Sequence, residues 1–171
     1  MIKIPKEVLL FQAITVNDPA LFGELEKLLC RFYGKIEREL GPLDFSSFSQ
    51  YYREEMGNNL LKKFYVFSLP VSLENFYRYK LESQAIENKY SINGKRTVNI
   101  DPGSLTLYQL SLLTTKAFSH RTYLAEGIYA ECTLIAKGNE YGALPWTYPD
   151  YKTTEALEFF RLAKKYLKAH L

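Results

Sequence analysis

The most chemically loaded stretch of this 171-residue chain runs from Asn99 to Asp150. Lys116, His120, Arg121 and Glu131 lie at the centre of that stretch, with Asp101 before them and Trp146 after. A histidine beside a carboxylate is the usual equipment for moving protons, because the carboxylate orients the imidazole. If Glu126-Gly127 forms a two-residue hairpin turn, Leu124 faces Tyr129, Thr122 faces Glu131 and His120 faces Thr133. Cross-strand partners share a face, so His120 and Glu131 would sit diagonally on one side of the hairpin, within side-chain reach. In that register Ile128, Ala130, Cys132, Leu134 and Ala136 make the core side, and Arg121 points with Cys132. A one-residue slip sends His120 and Glu131 to the opposite face. The plain alternative to catalysis is a surface ion pair worth under ~1 kcal/mol.

Around this pair, Lys116, His120 and Arg121 can hold a phosphate or carboxylate, Arg121 through a bidentate fork. An arginine on an apolar face otherwise reaches along the sheet to water. Asn99, Asp101, Glu54 and Glu55, with Glu131, are oxygen donors of the kind that hold Mg²⁺. Asp101 precedes Pro102 and Gly103, so building a turn explains it equally well. Tyr51 and Tyr52 can wall a pocket or stack on a base, or simply cover the sheet. Trp146, the only tryptophan, stands near Tyr148 and Asp150 and can roof a pocket or anchor a loop. The expected pocket is therefore built from residues 51–57, 99–103, 116–131 and 145–150. His120 and Glu131 are its catalytic pair. Lys116, Arg121, Tyr52, Glu54, Asn99, Asp101 and Trp146 are its ligand-binding residues.

The elements that must position these residues follow from periodicity and punctuation. Residues 7–16 form an apolar run expected to be a buried strand. Asn17-Asp18-Pro19 then starts a helix, with Leu21, Leu25, Leu28 and Phe32 inside and Gly34 at its end. Strands are expected at Ile36–Leu40 and, more clearly, around Phe64–Phe67, where Pro70 closes the strand. The segment FSSFSQYYREEMGNN between them has no definite form. Ser72 caps a second helix to about Tyr90, with Leu73, Phe76, Tyr77 and Leu81 inside, and Arg96–Ile100 returns as a strand. Asp101-Pro102-Gly103 reads as a turn, followed by a short helical turn from Thr106 and a strand near Leu110–Thr115. The hairpin Phe118–Leu124 with Ile128–Ala136 comes next, then a short strand near Tyr141–Leu144. Thr153 caps a last helix to about Ala169, with Leu157, Phe160, Ala163 and Leu167 inside. The whole describes one α+β domain over 1–171. Its β-α-β-β-α-β core is ferredoxin-like, extended by a C-terminal β-hairpin or meander and a terminal helix.

Composition narrows the function classes. A hydrophobic fraction of 47% with 24% charged residues fits a packed domain and excludes wholesale disorder. No apolar run approaches the ~20 residues of a membrane-spanning helix. The run Val8-Leu9-Leu10-Phe11 stops at Gln12 without a small-residue cleavage site, so a cytoplasmic location is expected. The two cysteines, Cys30 and Cys132, belong to no CxxC pair and read as buried thiols. With a net charge of +3 and basic residues spread along the chain, nucleic-acid binding is disfavoured. There is no GxxxxGK[ST], GxGxxG, HExxH or GxSxG.

Four blocks are distinctive as strings: YYREEMG (51–57), KRTVNIDPGSLTL (95–107), TTKAFSHRTYLAEGIYAECTL (114–134) and LPWTYPDY (144–151). Together they resemble a bacterial and archaeal family, a domain of unknown function, some of whose members carry an automatic "GTP-binding protein" label. The resemblance runs over nearly the whole chain and implies an intracellular protein of about this size, with no established activity. The blocks hold nearly all the polar residues singled out above.

These observations lead to an expected small enzyme or ligand-binding domain for an anionic, phosphorylated or nucleotide-like small molecule. The rival is a non-catalytic homodimer joined through an aromatic face. A third reading, RNA binding on the sheet, requires exposed aromatics on central strands, and Phe64–Phe67 is the only stretch that offers them.

Overall fold

In the computed structural model, residue 1 and residues 7–170 are described. Eight strands form one antiparallel sheet: β1 (Val8–Val16), β2 (Ile36–Asp44), β3 (Leu61–Val71), β4 (Val98–Leu105), β5 (Gln109–Thr114), β6 (Arg121–Ala125), β7 (Ile128–Lys137) and β8 (Glu140–Ala143). Their order is β2-β3-β1-β4-β5-β7-β6, and β8 pairs with β7. Helices α1 (Leu21–Tyr33) and α3 (Arg78–Lys89) pack on one face, and α4 (Thr154–His170) packs on the other. A single helical turn, α2 (Arg53–Met56), lies in the connection from β2 to β3.

The unbroken apolar run of β1 is explained by its place near the middle of a sheet covered on both sides. Side chains alternate across a strand. Leu9, Phe11 and Ala13 join the core beneath α4, while Val8, Leu10, Ile14 and Val16 join the core beneath α1 and α3. The α4 core is aromatic: Phe11, Phe64, Tyr151, Phe159 and Phe160 meet mostly edge to face. Each such ring, fully buried, contributes roughly 1.5–3 kcal/mol. Thr153 caps α4 as expected, its hydroxyl accepting from the Ala156 N–H at 3.1 Å.

Several expectations are corrected. Helix α3 begins at Arg78, and Ser72 instead accepts from the Glu74 N–H in the preceding turn. The buried stripe of α1 is Phe22, Leu25 and Leu29, one step round the helix from the expected one, and Phe32 is exposed. Cys30 is exposed and Cys132 half-buried. Strand β3 continues through Pro70, which pairs with Leu9.

Two corrections bear on the site. Asp101-Pro102-Gly103 is not a turn but the interior of β4. The turn comes later, where the Thr106 hydroxyl accepts from the N–H groups of Tyr108 and Gln109. Gly103 is needed for close approach: a Cβ there would stand 2.4 Å from the Phe11 ring and 2.4 Å from the Ser111 carbonyl oxygen. In the hairpin, Glu126 and Gly127 do form the two-residue turn, with φ of 50° and 78°, closed by Ala125 opposite Ile128. Leu124 is then an unpaired extra residue, so Tyr123 faces Tyr129, Thr122 faces Ala130 and Arg121 faces Glu131. The bulge moves Arg121 from the Cys132 side to the Glu131 side.

Gly103→Ala is expected to lower stability by about 2–3 kcal/mol through overpacking against Phe11 and the β5 backbone. Urea unfolding at neutral pH measures this, and an unchanged midpoint would show that the strands can give way.

Candidate functional site

The site arises where two neighbouring strands part. Strands β4 and β5 pair only from Leu105↔Leu110 to Gly103↔Leu112. Beyond that point the β4 segment back to Val98 stays paired with β1 and the β5 segment to Thr114 with β7, but the two no longer pair with each other, and a cavity of about 330 Å³ lies at the opening. Leu112, Leu113 and Thr114 line it from β5 and Asp101 from β4. Phe45, Phe48, Tyr51 and Tyr52 come from the β2–β3 connection, and Tyr148 to Tyr151 from the 3-10 turn before α4 and the residue preceding it. Lys62, Lys116, Arg121 and Glu131 complete the charged lining.

Glu131 is the centre of the first cluster. Its side chain is 1% exposed, and its Oε2 accepts from Arg121 Nε at 2.7 Å and lies 3.3 Å from His120 Nε2. Thr133 Oγ1 donates to Oε1 at 3.3 Å. Arg121 also donates from Nη1 to the Lys116 carbonyl at 3.0 Å and from Nη2 to Tyr148 Oη at 2.9 Å. One guanidinium thus ties β7, the loop before β6 and the loop before α4 into one wall. His120 stacks on Trp146, with centroids 4.9 Å apart and planes 13° apart, and meets Phe118 edge-on. Trp146 Nε1 donates to the Cys132 carbonyl at 2.7 Å, which fixes the ring.

Asp101 is the centre of the second cluster. It accepts from Lys80 Nζ at 3.1 Å and from Asn99 Nδ2 at 2.8 Å. Lys80 also donates to the Ile100 carbonyl, and Glu87 accepts the Ile100 N–H at 2.7 Å. Arg96 grips Glu55 with two bonds of 2.6 and 2.7 Å and donates to Asn99 Oδ1 at 2.9 Å. A third pair, Lys62 with Asp150 at 2.6 Å, is nearly inaccessible, with the ammonium over the rings of Phe45 and Tyr151.

These pairings decide the protonation states. Burial by itself would raise the Asp101 carboxyl, but Lys80, Lys62 and the Asn99 amide outweigh it and hold the group below its usual range. The bond from Arg96 lowers Glu55. Burial raises Glu87 despite Lys80, the Ile100 N–H and Arg96. Burial also raises the phenols of Tyr52, Tyr148 and Tyr151, with nearby carboxylates adding to it, so all three remain O–H donors at neutral pH.

Of the residues expected at the site, Tyr52, Asp101, Lys116, Arg121 and Glu131 line the cavity. Asn99 stands one layer behind, between Asp101 and Arg96. His120 and Trp146 back Glu131 rather than line the space. Glu54 is exposed and takes no part; the engaged acid of that segment is Glu55. The oxygen donors considered for Mg²⁺ do not assemble. Asp101 faces Lys80, Glu55 faces Arg96 and Glu131 faces Arg121, and no group of three or more metal-ligating acids, histidines or cysteines occurs among the described residues. Lys62, Lys80, Glu87, Arg96 and Tyr151 were not anticipated. Lys62 did leave a sign, a lysine in phase with Phe64 and Val66 on a core-facing strand.

The sequence model of one protein family matches residues 6–166. The chain belongs to that family, a domain of unknown function (DUF4416). The match takes in every residue of the cavity. No curated protein and no solved structure matches the chain.

Two outcomes are expected. Arg121→Ala leaves Glu131 buried without its cation and should cost roughly 3–5 kcal/mol. Adding Glu131→Gln to that variant should restore much of the loss in urea unfolding, and an additive double variant would show that the pair is not coupled. Asp101 has a lowered carboxyl, so its contribution is present above its unfolded value and lost as pH falls through the folded one. Asp101→Asn should therefore be less stable than the parent at pH 7, with the difference shrinking at an acid pH below the ordinary carboxylate range. Parallel curves at both pH values would contradict this.

Proposed function

We propose that the cavity binds an anionic small molecule, with phosphorylated and nucleotide-like compounds the first class to test. The observation that carries this is Lys116. It is the cation at the cavity with no carboxylate partner among the described residues, and its ammonium rests over the Tyr51 ring at 3.8 Å. The aromatic walls of Tyr51, Tyr52 and Tyr148 suit a planar ring. Arg121 serves mainly to hold the wall, since three of its donors are already engaged. For proton transfer, Glu131 meets the ligand and His120 stands behind it, sharing Oε2 with Arg121. Arg121 compensates the carboxylate while the carboxylate positions the imidazole.

Under the same proposal, β1 to β4 with α1 and α3 are read as a ferredoxin-like split βαβ unit. The order β2-β3-β1-β4 with both helices on one face supports that reading. A cytoplasmic location fits it too: among the described residues no helix is long and apolar enough to cross a membrane. The aromatics Phe64–Phe67 that an RNA platform would need are buried. A second reading, a homodimer, is favoured by the exposed Phe118, Tyr123 and Leu124 at the β6 edge.

Thermal unfolding in the presence of nucleotides and phosphosugars, with and without Mg²⁺, tests the main reading. A true ligand at 100 times its Kd should add about 2.7 kcal/mol of stability, and Lys116→Gln should abolish most of that gain. Failure of every compound to stabilise the protein, together with a dimer in solution that dissociates in Tyr123→Ser, would replace the ligand reading with the homodimer.

A further inference from the structure

One guanidinium places two donors at the mouth of the cavity. Arg121 Nη1 donates to the Lys116 carbonyl at 3.0 Å, and Nη2 donates to Tyr148 Oη at 2.9 Å. Lys116 and Tyr148 both line the cavity and both are exposed. A phenol oxygen that accepts from a guanidinium keeps its own proton to donate. That O–H donates to no protein group among the described residues, and burial with the nearby Glu131 carboxylate keeps it protonated. The mouth therefore offers an ammonium and a hydroxyl, set by one wall, to an anionic group that stays in contact with water. Such a group keeps part of its hydration, so even a doubly charged phosphate is not stripped there.

The half-buried β4 wall carries the opposite chemistry. Asp101 lines the cavity with a side chain 28% exposed, so a ligand can reach it. Its carboxylate accepts from Lys80 Nζ and from Asn99 Nδ2. A carboxylate has about four acceptor positions, and those left over take O–H or N–H donors. An anionic group at this wall would meet the carboxylates of Asp101 and Glu131. A cationic group would meet the ammonium groups of Lys80 and Lys62, both near enough to hold Asp101 ionised. A neutral donor avoids both repulsions.

We propose that the cavity orients a phosphorylated compound, with its phosphate at the open mouth on Lys116 and the Tyr148 hydroxyl and its neutral, donor-bearing end on Asp101. This rests on the anionic-ligand reading above and deepens it by naming the chemistry of the ligand's second end. Sugar phosphates and nucleoside monophosphates share that chemistry, through hydroxyls in the first and through hydroxyls or base N–H groups in the second. A phosphate ester without donors lacks it.

Calorimetric titration of the full chain at neutral pH tests the arrangement. The probes are ribose 5-phosphate, glucose 6-phosphate, uridine 5′-monophosphate, adenosine 5′-monophosphate and cyclohexylmethyl phosphate, which has a ring and a phosphate but no hydroxyl. At least one of the first four should bind with a Kd on the order of millimolar or tighter, and about tenfold more tightly than cyclohexylmethyl phosphate. The class of the tightest probe identifies the source of the donors. Lys116→Gln should weaken that probe about tenfold, and Tyr148→Phe about threefold. Asp101→Asn should weaken it about tenfold and leave cyclohexylmethyl phosphate unchanged, because that ester makes no bond to position 101. A circular dichroism spectrum matching the parent's at the titration temperature separates loss of the acceptor from loss of the fold. If Asp101→Asn does not fold, the comparison of donor-bearing with donor-free esters on the parent protein decides alone. Cyclohexylmethyl phosphate bound as tightly as the best donor-bearing probe overturns the placement at Asp101 and leaves the anionic reading standing. A folded Asp101→Asn protein with parental affinity does the same. A best probe insensitive to both Lys116→Gln and Tyr148→Phe overturns the placement of the phosphate. Binding of no donor-bearing probe overturns the proposal as a whole, and the anionic reading falls with it only if the thermal screen above is negative as well.

Discussion

The parting of β4 from β5 after Gly103 is the constraint on which the site depends. Up to that residue the two backbones pair so closely that no side chain fits between Phe11 and the Ser111 carbonyl. Beyond it the strands diverge, and the backbone and side chains that a continuous sheet would have paired become the walls of a cavity. Unpaired polar groups inside a sheet must find other partners. Here the Ile100 N–H goes to Glu87 and the Ile100 carbonyl to Lys80, both from α3. Helix α3 therefore meets this part of β4 with charged side chains rather than apolar ones.

This explains why so many ionised groups are buried around a small space. Each is expensive to desolvate alone, and each is paired. Lys62 with Asp150, Lys80 with Asp101, and Arg121 with Glu131 join segments far apart in the chain, so ion pairs tie together a cavity whose walls are largely aromatic and apolar. Such pairs add little net stability compared with apolar contacts, but they are demanding in geometry. The frame's charges are therefore largely spent on one another, and Lys116 is the lining cation without a carboxylate partner among the described residues. His120 takes its position from the same frame, held by Trp146 on its face and Glu131 at its edge.

Much of the secondary structure was legible because period and punctuation are local. The apolar run of β1, the Thr153 cap of α4 and the Glu126-Gly127 turn could all be read from neighbouring residues. The closeness of His120 and Glu131 was legible too, although for the wrong register: the bulge at Leu124 brought Arg121 opposite Glu131, and His120 still reached it from the preceding loop. Asp101-Pro102-Gly103 misled because turn propensity is local, while the reason for Gly103 is contact with Phe11, more than ninety positions earlier in the chain.

By itself the sequence determined an α+β domain, the family to which it belongs, and the segments that would meet: 51–57, 99–103, 116–131 and 145–150. Tertiary structure decided which side chains in those segments are free and which are spent. Whether Arg121 binds a ligand or a wall, and whether Glu54 or Glu55 is the engaged acid, depend on partners supplied by segments distant in the chain. Hydrogen bonding and desolvation are set by neighbours in space, and a residue's type carries no record of them.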